Sequence, residues 1–195
     1  LDRRDTLAIM PTGAGKSLTF QIPAMLLDGV TLVLSPLIAL MKDQVESLPP
    51  SIRIRTALLN SSLSPEDQRR VVAGIANGDY KMVYAAPERL RQYTFLDALR
   101  QAGAALVVVD EADCISLWGH DFRPDYLTIP SALRELGDPP LLAITATATR
   151  KMADGIKEGF NRDLSEIRTS VYRPNLYYEA SNLSDREEKV QAAIA

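Results

Sequence analysis

Two rhythms of apolar residues alternate along this chain. Short runs rich in Val, Ile, Leu and Ala predict strands at Thr6–Met10, Thr31–Ser35, Arg53–Leu58, Lys81–Ala85, Ala104–Val109 and Leu141–Thr145. Between them lie helical stretches, roughly Lys16–Leu27, Leu37–Leu48, Pro65–Ala76, Phe95–Gln101, Leu127–Leu136 and Thr149–Gly159. Several strand runs are continuously apolar, the signature of parallel strands covered on both faces. Strands alternating with helices imply right-handed crossovers and a mostly parallel, three-layer α/β sheet. The helix from Pro65 carries its own start signals: Ser64 as cap, Pro65 in the first turn, Glu66 and Asp67 just inside. Pro23 is expected to kink or end the first helix. After Phe160 the pattern weakens, Arg173-Pro174-Asn175 reads as a turn, and Ser184–Ala195 reads as helical. The abrupt start and the uncapped end suggest a piece of something larger.

The segment Ala104–Tyr126, AALVVVDEADCISLWGHDFRPDY, changes this picture from architecture to chemistry. Its apolar run ends in the carboxylate pair Asp110 and Glu111, and ligands of parallel sheets bind at the carboxyl ends of strands. The following loop holds the chain's only Trp, Trp118, and only His, His120, with Phe122 and Arg123 beside them. Trp118, His120 and Phe122 are of the kind that stacks on exposed bases, and Arg123 can pair with phosphate or stack by its guanidinium plane. Packing of Trp118 and Phe122 against the sheet is the competing reading.

A second motif, Pro11-Thr12-Gly13-Ala14-Gly15-Lys16-Ser17, directly follows the first strand. Glycines let successive N–H groups converge on phosphate oxygens, and a helix opening there adds the positive end of its dipole. Thr12, Gly13, Ala14, Gly15, Lys16 and Ser17 therefore form a candidate nucleotide cradle. Lys16 reaches the β and γ phosphates and the Ser17 hydroxyl is a Mg²⁺ ligand. The strict pattern wants Gly where Met10 stands, so this is a relaxed phosphate loop. In such enzymes the first carboxylate after a hydrophobic strand, here Asp110, holds the metal, while Glu111 orients or deprotonates the attacking water. Without a ligand the same features would be a glycine turn and a helix cap. Their occurrence together, in this order, points to ATP and Mg.

Composition narrows the setting. With 46% hydrophobic and 24% charged residues, the 195-residue chain is an ordinary globular α/β domain. No apolar stretch approaches the ~20 residues needed to cross a bilayer, and the N-terminal residues do not resemble a signal peptide. No membrane partner is expected. A single cysteine, Cys114, excludes an internal disulfide and a multi-cysteine zinc site. A reducing, cytoplasmic location is expected, nucleoid-associated in a bacterium. The net charge of −3 gives no global nucleic-acid signature but leaves a local groove open.

The motifs together resemble one family. Asp110-Glu111-Ala112-Asp113 is similar to the superfamily 2 helicase signature, and Ile9–Leu18 resembles motif I of RecQ-type DNA helicases. Ser35–Val45 is similar to their motif Ia, Ala85–Leu90 to the following strand-end motif, and Ala143–Thr149 to motif III. Cys114–Tyr126 resembles their aromatic-rich loop almost throughout, and Arg173–Leu176 the entry to a second motor domain. The resemblance implies a RecA-like P-loop NTPase fold over 1–172, with 173–195 as linker and start of a second RecA-like domain. It implies ATP and Mg as cofactors and single-stranded or partly duplex DNA as partner. It makes Trp118, His120, Phe122, Arg123, Asp113, Thr145 and Thr147 the elements that couple DNA to hydrolysis.

Departures from the family qualify these expectations. RecQ-type members usually have His where Asp113 stands, the adenine-recognising motif upstream of motif I is missing, and so is a second lobe with its arginine finger. The isolated chain is accordingly expected to be weakly active or inactive, an arginine finger being worth roughly 10³–10⁵ in rate. An RNA-directed DEAD-box ATPase and a non-catalytic binding lobe remain alternatives. Weaker candidates are Ser35, Lys42 and Gln44, the Asn60-Ser61-Ser62 loop, and the arginines Arg53, Arg55, Arg69 and Arg70, the last four read as ordinary surface charges. Cys114 reads as a small buried residue.

Overall fold

The computed structural model describes residues 3–60, 62–119 and 121–170. Among these, one sheet of seven strands runs in the order β3-β4-β2-β5-β6-β1-β7, and every pairing is parallel. The strands are β1 Thr6–Ile9, β2 Val30–Leu34, β3 Thr56–Leu59, β4 Met82–Ala85, β5 Ala104–Val109, β6 Leu141–Thr145 and β7 Ser165–Arg168. The α-helices are α1 Leu18–Leu26, α2 Ile38–Glu46, α3 Pro50–Arg53, α4 Pro65–Ala76, α5 Tyr93–Ala102, α6 Ile129–Glu135 and α7 Arg150–Phe160.

The continuous apolar strands follow from two covered faces. Val107 and Val109 join Phe95 and Leu99 of α5, Leu133 of α6 and Ile156 and Phe160 of α7 in one core. Val108 points the other way, to Phe20 and Ala24 of α1 and Met41 of α2. Successive strand side chains alternate between faces, so a strand buried on both sides is apolar at most positions. Each large side chain buried in this way contributes about 1.5–3 kcal/mol. This is the expected three-layer α/β architecture. No helix among the described residues is long and apolar enough to cross a membrane.

The element boundaries hold closely at β5, β6 and α4, where Ser64 accepts the Asp67 N–H as cap. Three expectations are corrected and one strand is added. Arg53 belongs to α3, not to a strand: Pro50 starts a helical turn in which the Ile52 and Arg53 N–H groups both donate to Pro49 O at 2.9 Å, and β3 begins only at Thr56. Helix α1 runs through Pro23 to Leu26, close to its expected end, but begins only at Leu18, with Lys16 and Ser17 in the preceding turn. The segment from Leu127 is split, a 3₁₀ turn over Pro124–Thr128 preceding α6. The edge strand β7 was not foreseen, because its residues are exposed and carry no apolar run; it is recognisable only by its pairing with β1. The Arg173-Pro174-Asn175 turn, the terminal helical stretch and the proposed second-domain start lie outside the described residues.

This strand order positions the site. β2, β5, β6 and β1 are consecutive neighbours, so the loops after all four emerge at one edge of the sheet. Only β6 separates β1 from β5, so the phosphate loop and the carboxylates start about 10 Å apart at a strand spacing of ~4.8 Å.

Candidate active site

The loop Pro11–Ser17 leaves the end of β1 as a tight turn, closed by the Ala14 N–H donating to Pro11 O at 3.1 Å. Gly13 and Gly15 have φ of +84° and +80°, a region L side chains rarely adopt. Among the described residues, the N–H groups of Gly13, Gly15, Lys16 and Ser17 donate to no backbone carbonyl. They are left for an anion at the start of α1. Thr12 to Gly15 are exposed and Lys16 half-buried, as a cradle open to a ligand requires.

Asp110 extends the sheet by one residue: its N–H donates to Leu34 O at 2.8 Å. The side chain is 7% exposed. Burial pushes its carboxyl above the ordinary carboxylate range; the Lys16 ammonium pulls it back and Asp113 adds a smaller upward push. Glu111 is raised in the same way, by burial first and by Asp110 second, with Lys16 opposing. One buried and one half-buried acid whose nearest relief is one lysine make a site that favours added positive charge, as a divalent cation would supply. Glu111 sits at φ 48°, ψ 51°, a left-handed conformation costly for a non-glycine residue. That turn drives the chain out of the strand into a 3₁₀ turn over Ala112–Ile115.

Asp113 points to the neighbouring strand, where the buried Thr145 hydroxyl donates to its Oδ1 at 2.8 Å. The Thr147 carbonyl lies 3.2 Å from the same hydroxyl, which has one hydrogen and a nearer acceptor in Asp113. Thr145 O in turn accepts the Met10 N–H at 3.0 Å, so Thr145 joins the start of the phosphate loop to the third carboxylate.

Trp118 does not pack on the sheet. It is 58% exposed, with the Lys151 Nζ 3.3 Å from its ring centroid. Phe122 is half-buried. Arg123 donates through Nε and Nη2 to Asp121 Oδ2 at 2.9 and 2.6 Å and through Nη1 to Pro36 O at 3.3 Å. It thereby ties the aromatic loop to the segment after β2. The loop closes with Tyr126, wholly buried, whose hydroxyl donates to Asp110 O at 3.0 Å. His120 lies outside the described residues.

Three participants were not singled out in the sequence: the Tyr126 hydroxyl, Lys151, and Arg89. Buried Arg89 donates to Asn60 O at 2.8 Å and Gln68 Oε1 at 3.0 Å, bracing the loop after β3. Tyr126 and Arg89 lie inside motifs read from the sequence, but their partners are set by the fold, and Lys151 lies in none of those motifs. Among the weaker candidates, Lys42 lies on an exposed helix face paired with Glu46, and Gln44 is half-buried on the same helix. Asn60 Oδ1 accepts from Ser62 N and Oγ within its own loop. Ser35 is buried, its hydroxyl without a partner among the described residues. Arg53, Arg55, Arg69 and Arg70 are exposed, Arg70 pairing with Glu66 and Asp67. Cys114 is buried, and desolvation pushes its thiol up to about 11, which disfavours the thiolate.

Residues 1–155 match the DEAD/DEAH box helicase family. The chain belongs to that family. Within it, this helicase lobe is similar to the probable ATP-dependent DNA helicase RecS of Bacillus subtilis, 41% identical over the whole of this chain and 39% of that protein. It is 44% identical to the ATP-dependent DNA helicase RecQ of the same organism, over 91% of this chain and 30% of that protein. The RecQ resemblance read from the aromatic loop is borne out. The chain thus spans about a third of the length of these relatives. Solved structures share the fold: the Pyrococcus furiosus Hef helicase domain has a TM-score of 0.66 at 21% identity, covering 89% of this chain and 36% of that one. The DUF1998 helicase MrfA bound to DNA has 0.69 at 17%, covering 85% and 25%.

Proposed function

We propose that residues 1–172 form the first RecA-like lobe of a RecQ-type ATP-dependent DNA helicase, with 173–195 leading into a second lobe. The N–H groups of Gly13, Gly15, Lys16 and Ser17 receive the nucleotide phosphates, and Lys16 neutralises their charge. Ser17 and Asp110 would hold Mg²⁺, which when bound supplies further neutralisation of the phosphate oxygens. Glu111 accepts a hydrogen bond from the attacking water and takes its proton; burial raises its proton affinity toward that of a useful base. Trp118 and Phe122 stack on bases of a single strand, at about 1–3 kcal/mol per base and with tolerance of sequence.

One observation carries this reading: the Tyr126 hydroxyl holds the Asp110 carbonyl, so the aromatic loop begins and ends on the metal-binding carboxylate's own backbone. A strand that displaces the loop must load the segment that positions Asp110 and Glu111. The test is ATP hydrolysis by the helicase containing this chain, with single-stranded DNA or RNA added. Stimulation by DNA, abolished by Glu111→Gln, is the expected result. Stimulation by RNA alone would assign the lobe to RNA-directed ATPases, and hydrolysis under no condition would make it a binding lobe.

A further inference from the structure

Trp118 is exposed, yet its ring is not free. The Lys151 ammonium stands 3.3 Å from the ring centroid, covering one face. The ring edge lies along α7 at Gly155, where an added methyl would come within 3.3 Å of Trp118 Cδ1 and 2.5 Å of Ser116 Oγ. The Trp118 backbone N–H donates to that same Ser116 Oγ at 3.2 Å. The indole is thus held against α7 by a cation above it and by a glycine that lets the helix come close. Lys151 lies in the first turn of α7, just beyond Thr149, whose hydroxyl accepts the Met152 N–H as the helix cap.

A nucleobase stacks on an aromatic face, and here one of the two faces is taken. We propose that Lys151 is a strand-binding residue: it parks Trp118 against α7 when no strand is present, and passes to a backbone phosphate when a base replaces it on the indole. This rests on the reading of Trp118 as a base-stacking residue. The magnitudes favour the exchange. An exposed cation–π pair is worth about two- to fivefold in an equilibrium constant, and a stacked base about five- to a hundredfold. The displaced ammonium stays beside the strand, where a phosphate is a stronger partner for it than an uncharged ring. The exchange also acts on α7, which follows the strand holding Thr145, the donor to Asp113, after the short segment 146–149.

Because Trp118 is the only tryptophan, its fluorescence reports the pair without labels. In the DNA-free 195-residue chain, Lys151→Gln should shift the emission and raise acrylamide quenching about two- to threefold, and Lys151→Arg should restore both. With oligothymidylate, the salt slope of log K for Lys151→Gln should fall by about 0.7, one phosphate contact on a single strand, and Lys151→Arg should keep the native slope. Unchanged quenching in Lys151→Gln would overturn the parking of Trp118, and an unchanged salt slope would overturn the transfer to phosphate. If oligothymidylate leaves native Trp118 emission unaltered while the DNA-free arm behaves as expected, base stacking itself is refuted and the exchange falls with it.

Discussion

Tyr126 and Asp110 are joined by a buried hydrogen bond, the phenol donating to the backbone carbonyl at 3.0 Å across the whole aromatic loop. The carbonyl it satisfies sits one peptide before Glu111, the residue whose left-handed backbone turns the chain away from β5. The same loop is held at three further points: Asp113 by Thr145, Arg123 by the Pro36 carbonyl, and Trp118 by Lys151. These anchors lie on β6, after β2 and on α7, so the loop is tied to three elements besides its own.

Tyr126→Phe keeps the ring and removes the donor. Leaving a buried carbonyl unpaired costs about 1–3 kcal/mol. At about 2–4 °C per kcal/mol for a domain of this size, the melting temperature should drop by several degrees. In the helicase containing the lobe, stimulation of ATP hydrolysis by DNA should fall more than the unstimulated rate. An unchanged melting temperature would mean that the carbonyl is satisfied in another way.

Asp110 and Glu111 should make the nucleotide-free lobe less stable as pH rises. Their folded pKa values lie above the unfolded values of about 3.9 and 4.3. A folded state that binds protons more tightly keeps this contribution below the unfolded values and loses it as pH rises through the folded ones. Asp110→Asn and Glu111→Gln should therefore melt higher than the native chain near pH 7.5, with the advantage vanishing toward pH 4. Thermal melts across that range decide it, and an advantage that grows on acidification would contradict the assigned direction.

Thr145→Val removes the hydroxyl that reaches Asp113 while conserving shape. A hydrogen bond to a charged group is worth about 1.5–3 kcal/mol, and Thr145→Ser should retain most of it. The expected signature is loss of coupling: DNA-stimulated hydrolysis reduced in the valine variant and recovered in the serine variant, with nucleotide affinity little changed in both. Equal loss of affinity and stimulation would instead indicate that Thr145 only maintains the fold.

Gly155→Ala sets two effects against each other. Replacing glycine inside a helix gains up to about 1 kcal/mol, whereas overpacking costs about 1–3 kcal/mol. The added methyl would meet Ser116 Oγ at 2.5 Å, so the cost should win and the loop should be pushed off α7. A lowered melting temperature with a shift in Trp118 emission is the expected pair of results. At Gly159 the methyl would meet Cγ1, Cγ2 and Cδ1 of the buried, β-branched Ile115 at 2.9, 3.1 and 3.2 Å, so a loss of stability is expected there too.

Much of this was legible in the residues. β5, β6 and α4 were readable because an apolar run or a Ser-Pro-Glu-Asp cap is a local signal. The phosphate loop was readable for the same reason, its glycines and Lys16 being contiguous. β7 was not, since an exposed edge strand needs no apolar pattern, and neither was α3, where a proline-started turn overrode strand-like residues. Trp118 could not be decided from composition between sheet packing and exposure.

The sequence by itself determined which chemistry the chain carries: a phosphate cradle, a pair of carboxylates after a buried strand, and an aromatic loop beside them. These are contiguous, and their spacing is imposed by strand, turn and helix periodicity. Only the tertiary structure decided how they act on one another. Asp113 meets Thr145 because β6 lies beside β5, Lys16 faces Asp110 because one strand separates their loops, and Lys151 covers Trp118 because Gly155 lets α7 approach. Each pairing joins residues far apart in the chain, and the side chains' own patterns carry no trace of it until the strand order brings their loops to one edge of the sheet.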